Sequence, residues 1–219
     1  MKPSRLAMSD EYLDPYREAM SRFGPRFEAT LWSSRRAQLL RFDVLTDMVD
    51  LTGKRLLDAG CGLADLYHHL ATCRIALDAY IGIDGLPEMI RQLQQEQQQK
   101  SPKMDNAEFL VGDFISDPTL LSTGNPDVIF FSGSLNTFEQ SRAQHVIQQA
   151  FDHAREAVVF NFLSDRCPQA AASLDTGPAN RFNTTAMLDF ALTVTTQVRF
   201  RQDYLDGHDA TIGILKRPA

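Results

Sequence analysis

Hydrophobic residues recur every three or four positions in the N-terminal part of the chain, and the pattern then changes to short continuous runs. Between residues 10 and 51 the apolar positions have helical spacing, and Gly24-Pro25 divides this stretch into two predicted helices. From Lys54 onward, runs rich in β-branched and aromatic residues alternate with helical stretches. This alternation predicts an α/β fold in which crossover helices connect the strands of a parallel sheet.

The second part of the chain contains seven predicted strands, at residues 55–58, 79–84, 108–111, 128–132, 157–162, 194–204 and 210–215. Helices are predicted between them at residues 64–71, 87–100, 141–156 and 184–192. The last two strands are separated by residues 205–209, a segment too short for a helix, so they should form an antiparallel hairpin. We therefore expect a Rossmann-like seven-stranded sheet, mostly parallel, with a C-terminal antiparallel hairpin and helices on both faces.

The length of 219 residues accommodates one domain with an attached segment. We expect an N-terminal helical lid or cap over residues 1–52 and a core domain over residues 53–219. Two interpretations of the cap aromatics remain open: they line an apolar acceptor pocket, or they fix the helices to the sheet. The aromatics are Tyr16, Phe23, Phe27 and Trp32.

Charge and cysteine content narrow the function classes. There are 28 Asp and Glu against 22 Lys and Arg, a formal net charge of −6, which argues against nonspecific nucleic-acid binding and favours a small-molecule partner. Cys61, Cys73 and Cys167 form no CxxC pair, so neither a metal site nor a disulfide scaffold is predicted. The chain has no predicted secretory signal or membrane-spanning segment. These features predict a cytoplasmic protein.

The strongest local motif is a hydrophobic strand that ends in an acid and turns through glycines into a helix. Residues 55–65 read RLLDAGCGLAD, with Asp58, Gly60 and Gly62 at the turn. A dinucleotide fingerprint requires glycine at position 65, whereas Asp65 would bring a carboxylate close to a pyrophosphate. The turn therefore favours a ligand with ammonium and sulfonium groups and no phosphate over NAD or FAD.

Acidic and small polar residues also follow the next three strands. Asp84, beside Gly85, ends the second strand, where a carboxylate can bind both hydroxyls of a ribose. After the third strand, Asp113 can accept a hydrogen bond from an adenine amine while Phe114 packs on its ring. The fourth strand opens into the polar loop 132–136. Because open α/β sheets bind ligands at the carboxyl ends of their strands, we expect these residues to surround one crevice.

The motifs LLDAGCGLADL, IGIDG, VGDF and DVIFFSGSLN, followed by the hairpin, resemble those of class I S-adenosylmethionine-dependent methyltransferases. The resemblance covers about residues 54–216. It implies that Asp58, Gly60 and Gly62 lie under the methionine part of the cofactor. It further implies that Asp84 and Gly85 bind the ribose and that Asp113 and Phe114 bind the adenine. Ser132 and Leu135 would belong to the cofactor loop after the fourth strand. Ala64 stands where many members have a third glycine.

The resemblance implies transfer of a methyl group to an O, N, S or C atom of a small metabolite, with S-adenosylhomocysteine as product. Asn136, Glu139 and His208 are candidate residues on the acceptor side. Arg26, Arg35, Arg36 and Arg41 are candidates for the cofactor carboxylate or an acidic acceptor. The alternative function is a methyltransferase-like protein that binds the cofactor without transfer, as a sensor or partner subunit. Monomer and homodimer both remain open.

Overall fold

One mixed sheet organises the part of the chain that the computed structural model describes, residues 10–99 and 105–217. Its strand order is β3-β2-β1-β4-β5-β8-β7, and a short strand, β6, pairs with the end of β5. Strands β1 to β6 pair in parallel, whereas β8 runs antiparallel to both of its neighbours, β5 and β7. The strands are Arg55–Ala59, Ala79–Asp84, Ala107–Val111, Val128–Ser132, Ala157–Ser164, Arg181–Phe182, Val198–Arg201 and Asp209–Leu215.

In the described part of the chain seven helices surround this sheet: α1 to α7 are Asp14–Phe23, Arg35–Met48, Asp65–Thr72, Pro87–Gln99, Gln140–His153, Gln169–Ala172 and Thr184–Val194. Several begin or end at residues that the sequence makes suitable. The Ser34 hydroxyl accepts a hydrogen bond from the Ala37 N–H at the start of α2, and Gly24, with φ of +67°, ends α1 at the predicted break. Short 3₁₀ helices occupy Glu11–Leu13, Phe27–Thr30, Pro118–Ser122 and Leu205–Gly207.

Two large hydrophobic cores, one on each face of the sheet, hold most of the helices in place, and a smaller cluster that includes Ala19, Met20 and Leu86 packs α1. On one face, α2, α3 and α4 bury residues such as Leu45, Leu66 and Ile90. On the other face, α5 and α7 contribute Ile147 and Met187. Fully buried apolar side chains of this kind each stabilise the fold by roughly 1.5–3 kcal/mol. The expected α/β class with helices on both faces is therefore confirmed.

The predicted hairpin needs correction in its boundaries. Its first strand is Val198–Arg201 rather than residues 194–204, because helix α7 continues to Val194. Met187, Ala191 and Val194 keep helical spacing and pack on the core, which extends the helix. Helix α6 and strand β6 were not predicted, since elements this short show no periodicity. Residues 1–9 of the predicted cap, the end of the predicted helix at Lys100, and residues 218–219 lie outside the described residues.

The order of the sheet reverses between β1 and β4, and this reversal opens a crevice at the carboxyl ends of the strands. The register aligns those ends: Asp58 pairs with Phe130 across β1 and β4, and Asp84 pairs with Val111 across β2 and β3. Among the described helices, none is long and apolar enough to cross a membrane. The topology thus brings Asp58 in β1, Asp84 at the end of β2 and Asp113 after β3 to one edge of the sheet.

Candidate functional site

A cavity of about 860 Å³ lies at this carboxyl edge. Its volume is near the upper end of the range of about 300–1,000 Å³ that is typical of small-molecule sites. Three parts of the chain form its walls: the ends of β1 to β4, the N-terminal residues between Tyr12 and Phe42, and two segments after β5 and β7, residues 168–179 and 205–208. The predicted residues Asp58, Gly60, Gly62, Asp84, Gly85, Asp113, Phe114 and Ser132 all line it.

The glycine turn after β1 brings main chain rather than side chains to the cavity. Gly60 has φ of +86°, and a Cβ atom at this position would lie 2.5 Å from the Cβ of Ser134. The backbone N–H of Gly60 donates to the Ile83 carbonyl at 2.8 Å, which fixes the turn against β2. Ala64 also has a left-handed backbone, with φ of +54°, which explains why glycine suits this position.

Asp84 is fixed in place by backbone donors. Its Oδ2 accepts from the Gly62 N–H at 2.9 Å and its Oδ1 from the Leu86 N–H at 2.8 Å. Each carboxylate oxygen retains a lone pair for a ligand hydroxyl. Burial raises the pKa of Asp84, and burial together with the Asp84 charge raises the pKa of the nearby Tyr16 phenol to about 12. Tyr16 therefore stays protonated and lines the cavity as a hydrogen-bond donor.

Asp58 is buried beside the glycine turn, with 3% of its surface exposed. Its Oδ2 accepts from the Tyr80 hydroxyl at 2.5 Å. Burial raises the pKa of this carboxyl to about 7, and the negative charges of Asp84 and Asp65 add to the effect. A carboxyl in this state gains its charge readily when a cation binds next to it.

The N-terminal segment closes over the end of β3. The Tyr12 hydroxyl donates to Asp113 Oδ1, which also accepts from the Ile115 N–H at 2.9 Å. The Tyr12 ring packs on Phe138, with centroids 4.7 Å apart, and the Arg142 guanidinium lies 5.1 Å from each ring centroid. Sequence reasoning missed Tyr12, because its helical spacing marked it only as a packing residue.

The loop after β4 forms part of the cavity wall. The Ser134 hydroxyl donates to the Ala59 carbonyl at 2.7 Å, which ties the loop to the end of β1. Gly133 has φ of +68° and lies under Trp32, since a Cβ atom there would approach the indole ring to 2.7 Å. Leu135, in contrast, turns into the hydrophobic core and does not line the cavity. Alternation along an irregular loop cannot be predicted, so its orientation was not readable from the sequence.

Two of the three acceptor-side candidates reach the cavity. Asn136 lines it with 5% of its surface exposed, and its Oδ1 is buried without a hydrogen-bond partner among the described residues. His208 lines it as well, with Nδ1 lying 3.1 Å from Arg181 Nη2. Glu139 is exposed at the start of α5 and is not part of the wall.

Arg41 is the N-terminal arginine that lines the cavity, and its charge is neutralised. Its Nε and Nη2 donate to the buried Asp209 Oδ2 at 2.7 and 2.6 Å, and its Nη1 donates to the Ala37 carbonyl at 2.7 Å. The guanidinium also lies 4.5 Å from the centroid of the Trp32 ring. Arg35 is on the surface, 3.4 Å from Asp65. Among the described residues, no cluster of histidines, cysteines and acids is arranged to hold a metal ion.

Residues 168–179, between β5 and β6, also form part of the wall, and sequence reasoning did not assign them to the site. The segment contains Pro168, Leu174 and Gly177-Pro178 and has no regular apolar pattern. Its place after a parallel strand was the available signal, because all such loops share one edge of the sheet.

Comparisons with known proteins agree with this architecture. Residues 50–176, more than half of the chain, match a protein family described as a methyltransferase domain. None of the curated protein sequences matches the chain. The solved structures described next are 14–15% identical to the chain, so their similarity concerns the fold alone.

Three solved structures illustrate it. Magnesium protoporphyrin IX methyltransferase from Synechocystis PCC 6803, with bound SAM, is 15% identical with a TM-score of 0.68, over 98% of this chain and 100% of that one. The methyltransferase domain of a bacterial Hen1 is 14% identical with a TM-score of 0.64, over 83% and 99%. The pyocyanin biosynthetic protein PhzM is 15% identical with a TM-score of 0.64, over 94% and 68%.

Proposed function

Because the chain belongs to the methyltransferase domain family, we propose that it transfers the methyl group of S-adenosylmethionine to a small metabolite and releases S-adenosylhomocysteine. One observation carries this proposal. Asp58, Asp84 and Asp113, from three successive strand ends, line a single cavity with a glycine turn that brings bare main chain to its floor. The cavity is also large enough to hold a second ligand beside the cofactor.

Each part of the cofactor has a suitable set of residues. Asp58, with its raised pKa, suits the region near the ammonium group, and the glycine turn leaves space for the methionine chain. Asp84 would bind the ribose hydroxyls, and Asp113 and Phe114 would contact the adenine. In this proposal residues 1–52 form the cap and residues 53–219 the cofactor-binding core.

The chain's own part in catalysis is positioning. When bound, the cofactor supplies an activated methyl group, so in-line displacement needs mainly alignment of donor and acceptor and exclusion of water. Tyr12, Tyr16 and Trp32 come from the N-terminal segment and cover the crevice left by the sheet. We propose that these aromatic side chains exclude water, in addition to holding the cap on the sheet.

Charge supports a small acceptor rather than a nucleic acid. The net charge is −6, and the described cavity wall contains one arginine, Arg41, whose charge is neutralised by Asp209. Nucleic acids are held by clusters of unpaired lysines and arginines. The cysteines, all three within the described residues, are unpaired, which fits the proposed location in the cytoplasm.

Calorimetric titration with S-adenosylmethionine and S-adenosylhomocysteine tests cofactor binding. We expect saturable binding by the wild type and a loss of about 10- to 100-fold in affinity for Asp84→Asn, because a charged acceptor of the ribose hydroxyls is removed. Glu108→Gln is the matched control, since Glu108 is exposed on β3 and lies outside the cavity. Absence of binding by the wild type would overturn the proposed function.

Transfer is tested separately with labelled cofactor, a panel of small metabolites and a short RNA. Label on a small molecule supports the proposal, whereas label on the RNA alone would contradict the small-molecule acceptor. Tight cofactor binding without transfer to any member of the panel would instead indicate the alternative function, a sensor or partner subunit.

A further inference from the structure

One part of the cavity has apolar walls. Trp32, Leu163, Ala171, Leu174 and Leu205 line it together with Pro168 and Pro178. Leu174 is 59% exposed, an unusual state for a large apolar side chain that already borders a cavity. Walls of this kind suit an apolar ligand.

This part of the cavity has no free positive charge among its described residues to bind an anion. Arg41 is neutralised by Asp209, and Arg181 lies outside the wall with its nitrogens bound to the carbonyls of Ser164 and Ala171 and to His208. The exposed carboxylates of Asp175 and Asp206, in contrast, belong to the wall. Like charges in a confined site repel, so a carboxylate or phosphate on the acceptor is disfavoured.

The same part of the cavity has no free base stronger than a carboxylate among its described residues. Arg181 is always protonated, so His208 Nδ1 must accept the hydrogen bond that joins them. In neutral His208 the proton is therefore on Nε2, and neither ring nitrogen has a free lone pair. Burial lowers the pKa of His208, which keeps the ring in this neutral form. An aliphatic alcohol or a protonated aliphatic amine would need such a base before it could attack.

We propose that the methyl acceptor is an aromatic amine on an apolar skeleton, an inference that rests on the proposed function. A weakly basic aromatic nitrogen is uncharged at neutral pH and attacks without prior loss of a proton. The nitrogen lone pair forms the N–CH₃ bond while the C–S bond breaks, and its electron pair returns to sulfur. The methylated nitrogen becomes positively charged and then releases its proton to water.

Two features of the wall suit this transfer. The positive charge moves from sulfur to nitrogen, and the carboxylates around the cavity stabilise it at both places. The buried Asn136 Oδ1, which has no hydrogen-bond partner in the described part of the chain, accepts an N–H of the amine. Asn136 follows β4 and lines the cavity, so this contact would hold the nitrogen beside the β4 loop.

The test uses protein saturated with S-adenosylhomocysteine and four biphenyls. They carry an amine, a methyl, a carboxylate or a hydroxyl group in the para position and are otherwise identical. By calorimetry we expect the amine to bind about tenfold more tightly than the methyl compound and the carboxylate to bind weakest. Asn136→Leu should abolish the preference for the amine over the methyl compound. The control is Gln148→Leu, which removes an amide from α5 outside the cavity.

Transfer is measured on the same series with labelled S-adenosylmethionine. The amine should receive the methyl group on nitrogen, and its rate at saturating cofactor should not rise with pH between pH 7 and pH 9. The inference would be overturned by equal or tighter binding of the carboxylate or by transfer to the hydroxyl compound in preference to the amine. It would also be overturned if no member of the series binds.

The controls separate this inference from the proposed function. Wild-type protein that binds S-adenosylhomocysteine but prefers the carboxylate contradicts the aromatic amine alone. Wild-type protein that binds no S-adenosylhomocysteine contradicts the proposed function. Retained affinity for S-adenosylhomocysteine shows that Asn136→Leu is folded, and the wild-type series remains decisive without the variant.

Discussion

Asp58 is a residue at which ligand binding and stability oppose each other. Its pKa is about 7 in the folded protein, above the ordinary value of 3.8, so folding favours the protonated form. The stability that this carboxyl contributes is fully present below about pH 4 and is lost as the pH rises through 7. A buried carboxylate beside Asp84 is thus kept for its charge, at the expense of stability.

Asp58→Asn should therefore stabilise the protein without ligand at pH 8. We expect an increase of roughly 3 kcal/mol in the free energy of unfolding, because the neutral amide avoids the buried charge and still accepts from the Tyr80 hydroxyl. Urea unfolding at pH 8 and at pH 4 measures it, with little difference expected at pH 4. The same variant should bind S-adenosylmethionine more weakly. Equal stability of both proteins at pH 8 would show that Asp58 is not desolvated as described.

The acids of the cavity could be predicted from the sequence, whereas several other wall residues could not. Asp84 and Asp113 follow apolar strands, where periodicity gives no reason for an acid. Asp209 gave no such signal, because its role depends on a partner 168 positions away, Arg41. Leu135 was implied by the methyltransferase resemblance and Glu139 was chosen because it follows Asn136, but the backbone turned one into the core and left the other in solvent.

At the scale of elements, the ion pair between Arg41 and Asp209 joins helix α2 to strand β8. Both side chains are almost fully buried, with 4% and 0% exposure. Removing one side chain of the pair leaves the charge of the other buried without compensation. This pair therefore fixes the N-terminal segment over the carboxyl edge of the sheet.

Arg41→Met and Asp209→Leu should each lower the free energy of unfolding by about 3–5 kcal/mol. The double variant Arg41→Met with Asp209→Leu should lose much less than the sum of the single variants, because it leaves no buried charge. Urea unfolding of the four proteins provides the double-mutant cycle. Arg17→Ala, which removes an exposed pair with Asp14 on α1, should cost less than about 1 kcal/mol. Additive losses at Arg41 and Asp209 would contradict this account.

Regular elements with strong periodicity were predictable, and short ones were not. Strand β2 was expected at its observed limits, and helix α3, expected at residues 64–71, is observed at Asp65–Thr72. Strand β6 has two residues and helix α6 has four, and both are stabilised by contacts distant in sequence. Arg181, for example, donates to the carbonyls of Ser164 and Ala171 and holds this region together.

At the scale of the whole molecule, the cavity joins segments that are far apart in the chain. Tyr12 and Trp32 belong to the N-terminal segment, Asp58 to Asp113 to the central strands, and His208 to the turn before β8. A ligand in this cavity contacts all of these segments only in the folded state. Ligand binding and global stability are therefore linked.

S-adenosylhomocysteine at a hundred times its dissociation constant should stabilise the protein by about 2.7 kcal/mol. Hydrogen exchange measured by mass spectrometry should show added protection in the N-terminal 3₁₀ segment Glu11–Leu13 and in α1, as well as around the glycine turn. Asp84→Asn at the same ligand concentration serves as the control with reduced effect. Protection confined to the strand ends would mean that the N-terminal segment does not close on the cofactor.

The position of β8 between β5 and β7 has a consequence for synthesis on the ribosome. Strand β5 is buried along its whole length, and of the eight strands β8 emerges last. Until residues 209–215 leave the exit tunnel, β5 has no antiparallel neighbour. Its apolar edge, which includes Val159 and Phe162, stays unpaired during this time. An open apolar edge of this kind pairs readily with other chains. The nascent protein is therefore most prone to aggregation, and most in need of a chaperone, in the interval between emergence of β5 and emergence of β8 from the exit tunnel.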